Sequence, residues 1–126
     1  MKEKIRIEYV LNNVSMSILW NSIGTPAGLA GWFADSVSVN DKIYTFAWEK
    51  TLQEAILVGH RIGYYNRFRW LEDEDDRTYF EFRVSPNELT GDVTLIITDY
   101  TLPDEKGDLI SLWNKQIEEL KRKYGI

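Results

Sequence analysis

Apolar and polar residues alternate strictly over "IRIEYVL", with Ile5, Ile7, Tyr9 and Leu11 on one side and Arg6 and Glu8 on the other. A period of two predicts a half-buried strand. The spacing then changes: Met16, Leu19, Trp20 and Ile23 recur at helical steps, Asn13 or Ser15 is available as N-cap, and Gly24 ends the run. Thr25-Pro26 predicts an immediate restart, because proline at the first helical position gives up an N–H that would have no partner there. This second helix is expected to run about two turns. Leu29, Trp32 and Phe33 share its apolar side, so the two aromatics are expected to terminate a helix and not to sit in a loop.

From Ser36 to Tyr100 the period returns to two. "SVSV" leads to a turn at Asn40-Asp41, and "IYTFAW" then places Tyr44, Phe46 and Trp48 on one face. In "EAILVGHR" the alternation sets Ile56 and Val58 against Leu57 and Gly59, with Glu54 and His60 on the Ile56 face. "YNRFRWL" turns Phe68 and Trp70 inward, and "TYFEFRV" does the same with Phe80, Phe82 and Val84. "DVTLIITDY" closes the series, adding Leu95 and Ile97. Short strands joined by tight turns predict an antiparallel meander. The register of the Phe68 and Phe80 strands has two solutions: Phe68 opposite Phe82 puts Arg69 beside Glu81, and a shift of two puts Arg67 beside Glu81.

The last segment, "PDEKGDLISLWNKQIEELKRKYGI", carries Leu109, Leu112, Trp113, Ile117, Leu120 and Tyr124 at steps of three and four. Glu118 with Arg122 and Glu119 with Lys123 are ordered as favourable ion pairs, and Gly125 is placed to stop the helix. A sheet with one apolar face must cover it, and this helix is the one element long enough to do so. The expected architecture is therefore α+β: a curved antiparallel sheet of about six to seven strands wrapped around a long C-terminal helix, with two short helices after the first strand.

With these elements in place, "SILWNSIGTPAGLAGWFAD" resembles the signature of the START-like (helix-grip) superfamily. It is most similar to the branch named for the C-terminal domain of the activator of the heat-shock-protein-90 ATPase. Trp20, Thr25-Pro26, Leu29 and Trp32-Phe33 carry the likeness, together with "FRWLED", "FEFRV", "TLIITDY" and the helix of Trp113. The resemblance extends over essentially the whole chain, which implies a single START-like domain over 1–126. It implies a fold more than a function, since the superfamily holds lipid carriers, hormone receptors, cyclases and co-chaperone domains.

Composition narrows the classes. The chain has 126 residues, enough for an independent core, with 44% hydrophobic and 28% charged residues. Aromatics reach 13%, and they need a place to be buried. There is no cysteine, which excludes disulfides, thiolate zinc sites and cysteine nucleophiles. A net charge of −5 argues against nucleic acid as a partner, and the Lys121-Arg122-Lys123 run suits the negative end of a helix. No segment approaches a membrane span, and no leader pattern opens the chain, so the expected location is cytoplasmic. Asn13-Val14-Ser15 matches a glycosylation sequon and is taken as coincidental on that basis.

The candidate ligand site is the inner aromatic face. Trp32, Phe33, Tyr44, Phe46, Trp48, Ile56, Val58, Phe68, Trp70, Phe80, Phe82, Leu95, Ile97, Trp113 and Ile117 are its expected lining, and His60 is a polar residue for its mouth. Two arrangements satisfy this face: a core filled by its own side chains, or a cavity of roughly 300 Å³ or more that takes a small apolar or amphipathic molecule. No base–nucleophile pair accompanies His60, so no catalytic residue is assigned and an enzyme, cyclase- or hydrolase-like, ranks last. A protein partner, as for a co-chaperone module, is the second reading; a chain of this length leaves no room for an N-terminal co-chaperone half, which weighs against it. The acidic run at Glu72–Asp76 lacks the spacing of a calcium loop and reads as a solvated hairpin tip. Nothing in the sequence calls for a cofactor or a metal.

Overall fold

The computed structural model describes residues 2–12 and 14–126. The sequon and the alternative cap at Asn13 lie outside the described residues. Strand β1 (Glu3–Leu11) is followed by helices α1 (Met16–Gly24) and α2 (Pro26–Leu29). Six strands come next: β2 (Ser36–Asn40), β3 (Ile43–Trp48), β4 (Thr51–Arg61), β5 (Tyr65–Trp70), β6 (Phe80–Pro86) and β7 (Val93–Thr101). A 3₁₀ turn at Pro103–Glu105 leads into helix α3 (Lys106–Tyr124). The strands form one antiparallel sheet in the order β1-β7-β6-β5-β4-β3-β2, so only β1 is out of sequence, docking beside β7.

The two helix starts form as their residues dictate. Ser15 caps α1, its hydroxyl accepting from the Ile18 N–H at 3.4 Å. Thr25 joins α1 to α2: its hydroxyl accepts from the Gly28 N–H at 2.9 Å and donates to the Asn21 carbonyl at 2.8 Å. Helix α2 is shorter than the spacing predicts, ending at Leu29. The chain leaves the helix at Ala30, which is extended (φ −69°, ψ 135°), and Gly31 then turns it at φ +94°, its N–H donating to the Ala34 carbonyl. Trp32 and Phe33 therefore sit in a tight turn after α2, although the Phe33 N–H still donates to the Leu29 carbonyl.

Most strand faces follow the alternation, and β4 departs from it. Tyr44 pairs with Ala55 and Phe46 with Gln53, so Ala55 and Leu57 belong to the concave face. Ile56, opposite Ile43, is half-buried on the convex face, and Val58 is 49% exposed. A bulge between Leu57 and Gly59 adds one residue, which reverses the alternation beyond it and sets His60 opposite Asn66. The Ile56-Leu57-Val58 run is apolar on both sides, so period alone cannot choose its inner face.

The β5–β6 register is the one that places Arg67 opposite Glu81 and Phe68 opposite Phe80. Glu81 is buried on the convex face and accepts from Arg67 at 2.8 Å and Arg83 at 3.1 Å. The other register would have set Arg67 against Arg83.

Helix α3 crosses the concave face, burying Trp113, Ile117 and Leu120, and leaving Leu112 53% exposed. Gly125 closes it in the left-handed region, φ +67°. The ion pairs on its outer side differ from the expected ones. Arg122 pairs with Glu119 one turn back, and Lys123 instead donates to the Ala30 carbonyl beyond α2. Tyr124 also reaches this region, donating to the Gly28 carbonyl at 2.9 Å. The end of α3 is thus tied to the α2 turn, while Lys106 at its beginning pairs with Glu3 of β1 at 3.6 Å.

Candidate functional site

Phe33 is the centre of the aromatic core. Its ring lies 5.0 Å from Phe46 and 5.5 Å from Phe82, edge to face, and stacks on Phe80 at 5.7 Å. Its carbonyl accepts from the Trp48 indole and from the Gln116 amide, each at 3.0 Å. One turn residue thus pins β3 and α3 to the same atom. Trp32 beside it is buried, its indole donating to the Ser22 carbonyl at 2.8 Å.

Beyond this packed centre a cleft of about 350 Å³ opens between the sheet and the first half of α3. Buried Phe33, Phe80 and Trp113 form its floor, and half-buried Trp48 and Trp70 form its sheet-side wall. Leu109, exposed Leu112 and Gln116 line it from α3, with Thr51 and Gln53 at the strand edge. Trp70 stacks on Phe80 at 4.7 Å, and Trp48 lies 6.4 Å from Trp70 at a 52° tilt, so the two indoles meet as a corner.

Among the described residues, one charged residue lines this cleft: Asp99 of β7. Leu95, Ile97 and Asp99 alternate along β7, so the carboxyl projects from the face that otherwise builds the core. Its Oδ2 accepts from the Trp113 indole at 3.0 Å and its Oδ1 from the Tyr100 N–H at 2.7 Å. Burial pushes the carboxyl up to about 6, against the pull of these two donors. Among the described residues, no Lys, Arg or His nitrogen lies within 4.0 Å of it. A second hollow of about 180 Å³ adjoins on the other side of Asp99, sharing Trp70 and Leu109 with the cleft. There Lys2 and Asp73 pair with each other at 3.3 Å.

Of the expected lining, Phe33, Trp48, Trp70, Phe80 and Trp113 border the cleft. Trp32, Tyr44, Phe46, Phe68, Phe82, Leu95, Ile97 and Ile117 are buried in the packed core beside it. Ile56 and Val58 belong to the convex side and do not contribute. His60 is also apart from the cleft: its Nδ1 bonds Asn66 Oδ1, whose amide donates to the Ile23 carbonyl at 3.1 Å, and its ring lies 6.3 Å from Trp20. The bulge in β4 turns His60 toward Asn66, and His60 lies at the opposite end of β4 from Thr51 and Gln53, which line the cleft. Asp99 is the residue that the sequence reading passed over. The signal was present, since Asp99 follows Leu95 and Ile97 at the same period. The acidic run is folded on itself: Asp73 accepts from Thr78 and from the Asp75 N–H, and Asp75 pairs with Arg77 at 3.1 Å.

The family model for a START-like superfamily domain matches residues 1–126. A search of curated proteins gave no match. Among solved structures, a Bacteroides fragilis protein determined by solution NMR is 49% identical, with a TM-score of 0.70, covering 97% of this chain and 90% of that one. The Aha1 dimer of Colwellia psychrerythraea is similar in fold at 12% identity and a TM-score of 0.76, covering 94% and 93% of the two chains. An uncharacterised protein from Bacillus thuringiensis matches at 11% identity and a TM-score of 0.78, covering 98% and 100%.

Proposed function

The chain belongs to the START-like superfamily, and we propose that it acts as a single binding domain for a small amphipathic molecule held between the sheet and α3. The observation that carries this reading is the cleft of about 350 Å³ in which five aromatic side chains surround one carboxyl group. Small-molecule sites have this make-up: mostly apolar walls, a few placed polar groups, and volumes from roughly 300 Å³ upward. Aromatic walls supply contact area, and Asp99 with Gln53 and Thr51 supplies orientation. Binding without chemistry fits the side chains at hand, because the one histidine is engaged with Asn66 outside the cleft and, among the described residues, no nucleophile–base pair lines it.

Native mass spectrometry of freshly purified protein tests this directly. The expected result is a bound species heavier than the chain, released on denaturation. Leu112→Arg supplies the control, since Leu112 is exposed at the rim and its replacement should spare the fold while blocking entry. A chain that purifies bare, and whose Trp48, Trp70 and Trp113 signals do not respond to a library of small aromatic and aliphatic amphiphiles, would remove the binding reading. The protein-interaction alternative would then stand in its place.

A further inference from the structure

We infer that the cleft selects organic ammonium compounds, with the cationic head seated against Asp99 and an apolar body along the Trp48–Trp70 corner. The inference rests on the binding reading above and names the ligand class for the same site.

Three features of the geometry point to a cation. Asp99 is the only charged residue lining the cleft among the described residues, and it has no cationic partner within 4.0 Å. Its two donors, the Trp113 indole and the Tyr100 N–H, are neutral and take one lone pair from each oxygen. Each carboxylate oxygen can accept more than one hydrogen bond, so capacity for a further donor remains. Lys2 and Asp73, which line the adjoining hollow, pair with each other at 3.3 Å.

The walls reinforce the choice. Indole and phenyl faces attract a cation within roughly 6 Å of the ring centre, and Trp is the strongest of them. Trp48, Trp70 and Trp113 bring three indoles to one cleft beside a carboxylate. An anion there would face Asp99 with no compensating cation, and a neutral head would leave the carboxylate only partly satisfied. A protonated amine offers both charge and N–H donors, and its apolar body covers the aromatic wall. The chain's net charge of −5 adds a weak attraction for cations at long range.

The test uses three probes of similar size and shape: phenethylammonium, phenethyl alcohol and hydrocinnamate, titrated into the full-length chain at neutral pH and followed by amide and indole NMR shifts. The ammonium compound is expected to bind about tenfold or more tightly than the alcohol, with hydrocinnamate weakest. Asp99→Asn keeps an acceptor for the Trp113 indole and removes the charge. It is expected to erase the preference while leaving the alcohol's affinity in place. If that variant does not fold, the ammonium-to-alcohol ratio on the unmodified chain carries the test, and it should fall with rising salt. Equal affinities for ammonium and alcohol, with indole shifts still mapping to the cleft, would overturn the ammonium inference and leave the binding reading intact. Failure of all three probes, on a chain that also purifies bare, would overturn both.

Discussion

Phe33 lies 5.7 Å from Trp113, ring centre to ring centre, with the two planes 22° apart. This stack joins the turn after α2 to α3 and forms the floor on which the cleft stands. Tyr124 and Lys123 hold α3 near its end, and the stack acts with the Trp113–Asp99 hydrogen bond to set how far its first half stands from the sheet.

Phe33→Ala should therefore cost about 3–5 kcal/mol, as expected for removing a buried aromatic ring. The Trp48 and Gln116 hydrogen bonds run to the backbone carbonyl and should survive, so the variant should unfold earlier in urea without losing its native NMR pattern. A loss below about 1 kcal/mol would mean that neighbouring rings collapse into the gap and that Phe33 is no keystone.

Close approach of α1 and α2 depends on Gly28. A Cβ there would overlap the carbonyl oxygen of Asn21, a backbone atom with little room to yield. Helix propensity alone would favour alanine by roughly 1 kcal/mol, but the overlap should win. Gly28→Ala is expected to destabilise by about 3 kcal/mol or more. Gly107→Ala is the matching control, since nothing lies within 4 Å of its Cβ position on α3, and it should be neutral or stabilising by about 0.5 kcal/mol. Thermal melts of the two variants should move in opposite directions.

Asp99 should leave a signature in the pH dependence of folding. Its folded-state value of about 6 exceeds the ordinary 3.8, so between these values the native state holds more proton than the unfolded one. Its contribution is fully present below about 3.8 and is lost as pH rises through about 6. The stability difference between the parent chain and Asp99→Asn should therefore shift against the parent across that window, by roughly 3 kcal/mol at most. Urea midpoints at a series of pH values measure it, and a flat difference would show the carboxyl to be ordinary.

Asn66 is the buried polar link between β5 and α1, and His60 lies over it. Asn66→Leu would strand the Ile23 carbonyl in the core and should cost about 1–3 kcal/mol. His60→Ala leaves that carbonyl paired, so its loss should stay near 0.5 kcal/mol. Equal losses from both variants would show that the histidine holds the link and the asparagine only follows.

Legibility in the sequence tracked the range of the interactions. Period two located all seven strands, and period 3.6 with Ser15, Thr25-Pro26 and Gly125 located the helices, the starts of α1 and α2 and the end of α3, because alternation and capping act within a few residues. The overall architecture followed, since a one-sided sheet and one long amphipathic helix have few ways to cover each other. Five of the aromatics expected at the site border the cleft for the same reason.

What tertiary structure decided was longer in range. The β3–β4 register put Ile56 and Val58 on the convex side, in a run that is apolar on both faces, and the bulge beyond them turned His60 toward Asn66 at the α1 end of the sheet. The β5–β6 register was chosen by Glu81 lying between two arginines that come from different strands. The chain left α2 at Ala30, and Gly31 turned Phe33 under α3, where rings from β3, β6 and α3 meet it. Asp99 looks like any polar residue near a strand end until the fold encloses it between two hollows, with no cation within 4.0 Å among the described residues. Its environment is made by residues from β5, β7 and α3 together, and an environment assembled across the chain has no local pattern to announce it.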